Sequence, residues 1–309
     1  MADKEVWTIL KTLNWTKRYF KDKGIENPSL DAELLLCEVL HCQRITLFVD
    51  FERPLSEQEL ATFKGYVVRR AKAEPLAYIL GHKEFMGLSF KVTPATLIPR
   101  PETELLVESI VKAAKLLRPE GEVKLLDIGT GSGAIVVAAL AALPKAKGVG
   151  ADISIEALTV AKENADNQGL QGRIGFIRSD IYSRIPLDKK FDIIVSNPPY
   201  IPTATIAELA ADVKKEPLGA LDGGKDGLDF YRRIIAEADL HLEEEGLLAL
   251  EIGIGQSEAV VELCRKAGFT LTAVRKDYAD IERMVFAVKA KEEGEKYADL
   301  LLAITQKWC

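Results

Sequence analysis

The sequence predicts an α/β fold: a small N-terminal helical domain, then a mostly parallel seven-stranded sheet that ends in an antiparallel hairpin. Three observations predict it. From about Val123 onward, short apolar segments alternate with helical patterns, which is typical of parallel strands joined by helices. Only the short polar link Lys276–Arg283 joins the last two apolar segments, which indicates a hairpin. Up to about residue 75 the apolar spacing is helical instead.

Residues 1–75 are predicted as the N-terminal helical domain. One helix is expected to begin after Ser56, because Ser56 and Glu59 have the spacing of a capping box. It should continue to about Ala73, where the Glu74-Pro75 dipeptide ends it. An earlier helix is indicated by apolar residues at helical spacing: Leu30, Leu34, Leu35 and Val39.

Residues 76–98 are predicted as a linker that contains a β-hairpin. The segments 82–86 and 88–92 alternate in polarity on either side of a glycine, which is a hairpin pattern. Beyond the linker, the Pro-Arg-Pro segment at 99–101 fixes an extended backbone that leads into an amphipathic helix. We expect that helix to reach Leu117.

Residues 99–290 are predicted as the α/β domain. Its strands are expected at 123–128, 147–152, 173–178, 191–196, 246–252, 269–275 and 284–288. Its later helices are expected at about 133–143, 154–167, 227–243 and 256–267. A parallel sheet that ends in an antiparallel pair is the pattern of the Rossmann-like methyltransferases.

Residues 291–309 are predicted as a C-terminal helical tail. Apolar residues form one helical stripe along it: Tyr297, Leu300, Leu301, Ile304 and Trp308. The apolar stripe of an amphipathic helix normally packs against the core of the protein. We expect the tail to pack back on the α/β domain rather than to form a separate partner site.

Composition limits the functional classes. The net charge of −6 and pI near 5.4 argue against a general nucleic-acid binder, which is usually basic. No apolar run reaches the ~18 residues of a bilayer-spanning helix, and Met1–Thr8 lacks the apolar core of a signal peptide. We therefore expect a cytoplasmic protein without membrane contact. The four cysteines show no zinc-ligand spacing, so no metal is expected.

A glycine-rich loop follows the first predicted strand of the α/β domain. Its residues are Asp127, Gly129, Thr130, Gly131, Ser132 and Gly133. Glycines let the backbone turn sharply beside a ligand, and the helix that follows offers free N–H groups. The loop fits the fingerprint of dinucleotide-binding proteins as well as that of S-adenosylmethionine-binding proteins. Asp152, after the second strand, can bind the ribose hydroxyls of either ligand. Asp127 favours S-adenosylmethionine, whose methionine end is cationic. For Asp180, a cofactor contact and a plain helix cap both stay open.

The sequence Asn197-Pro198-Pro199-Tyr200 follows a buried strand, at the sheet edge where α/β proteins bind ligands. An amide or aromatic amine nitrogen is a poor nucleophile because its lone pair is delocalised. The Asn197 side-chain oxygen and the Pro198 carbonyl can accept hydrogen bonds from both of its N–H groups, and Tyr200 offers a stacking face. The motif therefore predicts methylation of a planar nitrogen, with Asn197, Pro198 and Tyr200 as catalytic residues.

Together these motifs resemble the peptide chain release factor glutamine methyltransferases. The resemblance extends from Ser29 to about Val288. It is carried by Ser29–Glu33, Pro75–Gly81, Lys83–Phe85, Ile98–Thr103, the glycine loop, Asn197–Tyr200 and Ala220–Leu228. That family methylates the glutamine of the Gly-Gly-Gln motif in release factors, converting S-adenosyl-L-methionine to S-adenosyl-L-homocysteine. The resemblance implies a release factor as protein partner and a helical domain that recruits it.

The resemblance also implies site residues. In the family the cofactor is held at positions that match Gly129–Gly133, Asp152 and Asn197, and the substrate glutamine meets those that match Asn197–Tyr200. The residue after Asp180 is often a large aromatic beside the adenine, whereas this chain has Ile181. Arg100 and Glu102 either line the pocket or, for Glu102, favour a helix N-terminus.

Two other substrates remain open. Enzymes that methylate a glutamine of a large-subunit ribosomal protein share the catalytic motif, although the Pro-Arg-Pro-Glu-Thr and Leu-Asp-Gly-Gly segments favour a release factor. Adenine-N6 methyltransferases of DNA or RNA also share Asn-Pro-Pro-Tyr. The acidic balance and the lack of a basic arm argue against nucleic acid.

Overall fold

The computed structural model describes residues 6–119, 121–290 and 294–306. The chain divides into two compact units. One comprises the residues up to His82 together with Ala210–Lys215, and the other comprises Lys83–Leu209 and the residues from Glu216 onward. No helix among the described residues has the length and apolar character needed to cross a membrane.

The first unit is helical, as the sequence predicts. Its helices are α1 (Ile9–Asp22), α2 (Pro28–Leu40), α3 (Arg44–Val49), α4 (Glu57–Ala71) and α5 (Leu76–Leu80). The predicted capping box is present at the start of α4, with both the Ser56 and the Glu59 side chains bonded to backbone N–H groups. Apolar side chains of these helices form a core of their own, which includes Leu13, Phe20, Leu35, Leu36 and Phe63. A buried ion pair between Arg70 and Asp31 ties α4 to α2.

A hairpin of β1 (His82–Phe85) and β2 (Leu88–Lys91) comes next in the chain, and α6 (Pro101–Leu117) follows it. Phe85 and Phe90 pack edge to face within this hairpin. Both the hairpin and the end of α6 at Leu117 agree with the sequence prediction.

The seven-stranded sheet contains β3 (Lys124–Ile128), β4 (Lys147–Asp152), β5 (Ile174–Arg178), β6 (Phe191–Ser196), β7 (Leu242–Glu251), β8 (Leu271–Lys276) and β9 (Glu282–Val288). Their spatial order is β5-β4-β3-β6-β7-β9-β8. The strands from β5 to β7 in this order run parallel, whereas β9 is antiparallel to both β7 and β8. The predicted mostly parallel sheet with an antiparallel C-terminal hairpin is confirmed.

The largest error in a predicted strand boundary is at β7, whereas the start of β8 and the start of β9 each differ by two residues from the prediction. The sequence predicts a strand from residue 246, but β7 begins at Leu242. The three glutamates after Leu242 hide this part of the strand from an apolar pattern. The backbone is also irregular there, because Glu245 adopts a positive φ of 61° and the register with β6 shifts between Phe191 and Ile193.

Helices cover both faces of the sheet. Besides α6, they are α7 (Ala134–Ala142), α8 (Ile155–Asn167), α9 (Asp229–His241), α10 (Ser257–Lys266) and α11 (Gly294–Thr305). Alternate residues of each strand point to opposite faces. On β6, Val195 therefore joins the core that contains α6, α7 and α11, whereas Ile194 joins the core that contains α9 and α10. Three short 3₁₀ helices follow β6 in the sequence, at Thr203–Glu208, Val213–Lys215 and Leu218–Ala220, and the second of them belongs to the first unit.

The C-terminal helix α11 packs on the sheet unit, as the sequence predicts. Four residues of the predicted stripe are buried in the core beside α6: Tyr297, Leu300, Leu301 and Ile304. The fifth, Trp308, lies outside the described residues.

Candidate active site

A cavity of about 600 Å³ opens at the carboxyl edge of the parallel strands. Its lining includes residues that follow β3, β4, β5 and β6, namely Gly129, Ile153, Asp180 and Asn197. This is the edge at which open α/β sheets bind ligands, and the volume is typical of a small-molecule site. Of the residues predicted for the site, the cavity wall contains Gly129, Gly131, Asp152, Asp180, Ile181, Asn197, Pro198 and Pro199.

The glycine loop wraps one end of this cavity. Gly129 and Gly131 adopt positive φ angles of 70° and 56°, which a residue with a side chain rarely adopts. The backbone N–H groups of Gly129 and Thr130 both donate to the Ala151 carbonyl of β4, which curls the loop over the strand ends. Thr130, Ser132 and Gly133 complete the turn behind the cavity wall rather than lining it.

Asp152 stands at the cavity wall where β4 ends. Its Oδ2 accepts a hydrogen bond from the Gly131 backbone N–H at 2.8 Å, and its Oδ1 accepts one from the Ser154 N–H at 2.9 Å. The two bonds hold the carboxylate against the glycine loop. Because each carboxylate oxygen has a second lone pair, Asp152 retains acceptor capacity for ligand hydroxyl groups.

Asp127 lies beneath the glycine loop. Its carboxyl is fully buried, and its Oδ2 accepts a hydrogen bond from the Thr130 hydroxyl at 2.6 Å. Burial raises the pKa of Asp127 to about 7. Asp127 fixes the loop from behind, and its contact with a cofactor stays a prediction.

Asp180 and Ile181 form the wall after β5. The Asp180 carboxylate accepts a hydrogen bond from Arg233 of α9 at 2.7 Å. The helix-cap alternative for Asp180 was wrong, because turns rather than a helix follow it. Ile181 is buried at a φ of 52°, unusual for a β-branched residue. The wall beside them is apolar and includes Ile153, Phe230 and Ile234.

The Asn-Pro-Pro-Tyr loop begins directly after β6. Asn197, Pro198 and Pro199 line the cavity, whereas Tyr200 is outside its lining and packs, partly buried, against the core that contains α9 and α10. Burial raises the pKa of the Tyr200 phenol to about 12, so the hydroxyl stays protonated at neutral pH.

The segment Leu221–Gly224 supports this loop from outside. Ile201, the next residue after the motif, donates to the Leu221 carbonyl and accepts from the Gly223 N–H. A Cβ at Gly223 would meet the Tyr200 Cα at 2.7 Å, so only glycine fits there. Gln256 donates a further hydrogen bond to the Tyr200 carbonyl at 3.0 Å. The Asn-Pro-Pro-Tyr backbone is therefore bonded and packed from two sides.

A buried acidic residue, Glu251, lies next to Asn197 and was missed by the sequence analysis. The Asn197 Nδ2 donates to the Thr103 hydroxyl at 3.2 Å, and that hydroxyl donates to the Glu251 Oε2 at 2.6 Å. Burial raises the pKa of Glu251 to about 7, against the lowering effect of its bond from Thr103. The sequence did contain a signal, since an acidic residue near the end of an apolar strand falls at the ligand-binding edge.

Arg100 and Glu102 do not line the cavity. The Arg100 guanidinium pairs with Glu216 at 2.5 Å, and Glu216 also accepts from the Ile98 N–H at 3.0 Å. Glu216 is buried, and the next residue in the sequence, Pro217, lines the cavity. The Arg100–Glu216 ion pair therefore holds this part of the cavity wall in place. Glu102 lies in the first turn of α6, where a carboxylate is favourable.

Two family models and a set of known proteins match this chain. Residues 11–81 match the family described as PrmC N-terminal domain, and residues 101–214 match the one described as methyltransferase small domain. The chain is 45% identical to a release factor glutamine methyltransferase of Geobacter sulfurreducens, over 91% of this chain and 96% of that protein. It is 43% identical to the protein of that name from Caulobacter vibrioides, over 91% and 96% of the two chains.

Solved structures of low sequence identity share the fold. The catalytic domain of hMettl16 in complex with a MAT2A 3′UTR hairpin has a TM-score of 0.56 at 16% identity, over 78% of this chain and 85% of that chain. A T. thermophilus 16S rRNA N2 G1207 methyltransferase, in complex with AdoMet and guanosine, has a TM-score of 0.50 at 19% identity, over 67% and 49%. These two similarities concern the fold alone.

Proposed function

The chain belongs to the release factor glutamine methyltransferase family, and on this premise we propose that it methylates the side-chain amide nitrogen of the Gly-Gly-Gln glutamine in peptide chain release factors. One observation carries the proposal. Asn197 lies at the end of the ligand cavity with its Nδ2 bonded to Thr103, which leaves its Oδ1 as an acceptor for a substrate N–H.

The residues of the cavity fit S-adenosylmethionine. Asp152 offers carboxylate lone pairs at the sheet edge, in the position that suits a ribose, and the glycine loop offers a closely approachable backbone. Ile153, Ile181 and Phe230 form an apolar wall suited to an adenine ring. When bound, this cofactor supplies a methyl group attached to a positively charged sulfonium sulfur. That sulfur is an already activated leaving group, and S-adenosyl-L-homocysteine is the product.

The chain's own residues bind and aim the substrate amide. The Asn197 Oδ1 and the Pro198 carbonyl would accept the two amide N–H bonds, so the nitrogen lone pair is turned toward the cavity. The same acceptors stabilise the positive charge that develops on nitrogen. Because Asn197 is bonded at its other end and Pro198 has a fixed φ, the clamp is preorganised and loses little entropy on binding.

We also propose that residues 1–75 recruit the release factor. An apolar groove of about 540 Å³ on the helical unit is lined by Trp7, Trp15 and Tyr19. Trp15 is 51% exposed although it stacks on Tyr19. Exposed aromatic residues of this kind are frequent anchors in protein interfaces. Since release factors act on ribosomes, we expect the reaction in the cytoplasm.

A labelling experiment tests the proposal. The purified protein and radiolabelled S-adenosylmethionine would be incubated with a release factor, with its Gly-Gly-Gln→Gly-Gly-Ala version, with ribosomal proteins and with DNA. Label on the wild-type factor and none on the Ala version supports the proposal. Label on a ribosomal protein or on DNA would overturn the assigned substrate.

A further inference from the structure

We propose that Glu251 and Thr103 are positioning residues that fix which end of the Asn197 amide faces the substrate. The inference rests on the proposed function, in which the Asn197 oxygen accepts a substrate N–H. The two ends of an asparagine amide have nearly the same shape, so packing alone does not choose between them. A wrongly turned Asn197 would present an NH₂ donor to a substrate that also has donors, and the clamp would fail.

The direction of the hydrogen bonds makes the choice. A threonine hydroxyl has a single proton to donate. Thr103 donates that proton to the Glu251 Oε2 at 2.6 Å. It can then only accept a bond from Asn197, so the donor end of the amide, Nδ2, faces Thr103 at 3.2 Å. The Oδ1 is left for the substrate.

The strand arrangement places Glu251 beside Asn197. Ser196 pairs with Leu250 across β6 and β7, so the next residue of each strand stands at the same level of the sheet edge. Glu251 shares the sheet face of Leu247 and Ala249, which is the face that α6 covers. Thr103, in the first turn of α6, meets it there.

Glu251 is held firmly. Glu251 is only 3% exposed. Its backbone carbonyl accepts a hydrogen bond from the buried Tyr231 hydroxyl at 2.9 Å. A buried carboxylate is costly unless its bonds are satisfied. The fold nevertheless keeps the Glu251 carboxyl beside the Asn-Pro-Pro-Tyr motif that the proposed reaction uses. The Asn197 amide lowers the pKa of this carboxyl.

The ionised form of Glu251 is the one that sets the direction. A neutral Glu251 could donate to Thr103, and Thr103 could then donate to the Asn197 Oδ1, which would turn the amide round. The charged groups that influence Glu251 are Glu102, which raises its pKa, and Arg283, which lowers it. The Thr103 hydroxyl bond also lowers it.

Three substitutions test the inference in the intact protein, with methyl transfer to a release factor as the assay. Glu251→Gln is nearly isosteric but can donate as well as accept, and Thr103→Val removes the hydroxyl at constant volume. For each we expect kcat to fall by about 100-fold, as for a small misplacement of a reacting group. The KM for the factor should rise much less, and the S-adenosylmethionine Kd by calorimetry should stay within about twofold, well below the tenfold that one lost hydrogen bond can cause. Thr103→Ser keeps the hydroxyl and should restore most of the turnover.

Controls separate this inference from the proposed function. The same change at an exposed threonine of α8, Thr159→Val, should leave kcat unchanged. If wild-type protein transfers no methyl group to any factor, the proposed function fails. If wild type is active and Glu251→Gln keeps its rate, the positioning role is wrong. Should Glu251→Gln not fold, Thr103→Val decides alone, and a wild-type kcat in that variant would overturn the inference. A loss of cofactor affinity equal to the loss of rate would also contradict it.

Discussion

Asn197 is the residue on which the proposed chemistry depends. Its Nδ2 is bonded to Thr103 on one side, and on the other its side chain reaches the cavity that suits the cofactor. Few side chains could replace it. Aspartate has acceptors only and would face the Thr103 hydroxyl with a charge, whereas alanine leaves the substrate N–H without a partner.

We therefore expect Asn197→Ala to lower turnover by at least about 100-fold, the loss typical when one preorganised acceptor or donor is removed. The fold should persist, because Asn197 is half-buried and only its amide contacts are lost. Single-turnover methyl transfer would measure the rate, and circular dichroism would confirm folding. A folded variant with the wild-type rate would contradict the amide clamp.

Asp152 is expected to control cofactor affinity. Replacing it with alanine removes the carboxylate proposed to bind the ribose, along with the bonds from Gly131 and Ser154. The S-adenosylmethionine Kd should rise by about tenfold or more, since each lost hydrogen bond to a charged group is worth about 1.5–3 kcal/mol. Isothermal titration calorimetry measures it directly. Asp188→Ala, at an exposed position between β5 and β6, is the matched control; equal affinities for both variants would remove the assignment.

Asn197 and the glycine loop were identified because each lies in a motif of consecutive residues, and Asp152 was identified because it ends the strand that follows that loop. Glu251 also ends an apolar strand, but neither Glu251 nor Glu216 belongs to a motif that names its partner. Their partners Thr103 and Arg100 lie more than one hundred positions away in the sequence, and only the fold brings them together. The environment of a single acidic residue depends on such distant contacts.

At the scale of elements, the site depends on a scaffold outside the catalytic motif. The Leu221–Gly224 segment bonds to Ile201 and packs against the backbone of Pro199 and Tyr200. The resemblance identified this segment, but its sequence alone did not indicate what it contacts. In the same way, apolar periodicity located all seven strands of the sheet but missed the first residues of β7, where three glutamates precede the buried part.

Gly223→Ala tests this scaffold. The added methyl would lie 2.7 Å from the Tyr200 Cα and 2.8 Å from the Pro199 carbonyl oxygen, and both belong to the backbone. The Asn-Pro-Pro-Tyr loop must shift, and a shift of this size is expected to lower kcat by about 10- to 100-fold. Gly175→Ala in β5, where the methyl has no neighbour within 4 Å, should leave kcat unchanged. Similar rates for both variants would show that the loop does not depend on Gly223.

At the scale of the whole molecule, the sheet unit carries the proposed chemistry and the helical unit the proposed recruitment. Trp15→Ala in the groove of the helical unit should raise the KM for the release factor by about tenfold, as expected for an interface anchor worth more than 1 kcal/mol. The cofactor Kd should not change. Phe48→Ala, at an exposed position of α3 outside that groove, is the control. An unchanged KM for Trp15→Ala would count against recruitment through this groove.

Global stability should carry a pH signature of Glu251. Its pKa in the folded protein is raised from 4.5 to about 7, so the folded state binds this proton more tightly than the unfolded state. That contribution to stability is present below pH 4.5 and is lost as pH rises through about 7. Each pKa unit corresponds to about 1.4 kcal/mol, so the loss is at most roughly 3 to 4 kcal/mol.

Glu251→Gln has no such titration. The difference in the free energy of unfolding, variant minus wild type, should therefore be more positive at pH 8 than at pH 5, which means that the variant gains stability relative to wild type as pH rises. Other groups with raised pKa values, such as Asp127, are present in both proteins and cancel in the comparison. Urea unfolding at the two pH values measures the difference. A stability difference that is independent of pH would mean that the pKa of Glu251 is not raised into this range in the folded protein.

The most direct test of the central claim is to locate the transferred methyl group. A release factor would be incubated with the protein and S-adenosylmethionine that carries a trideuterated methyl group, then digested and sequenced by tandem mass spectrometry. We predict the label on the side-chain amide nitrogen of the Gly-Gly-Gln glutamine, and none with the Asn197→Ala variant. Label on any other residue or atom of the factor, or equal labelling by the variant, would contradict the account.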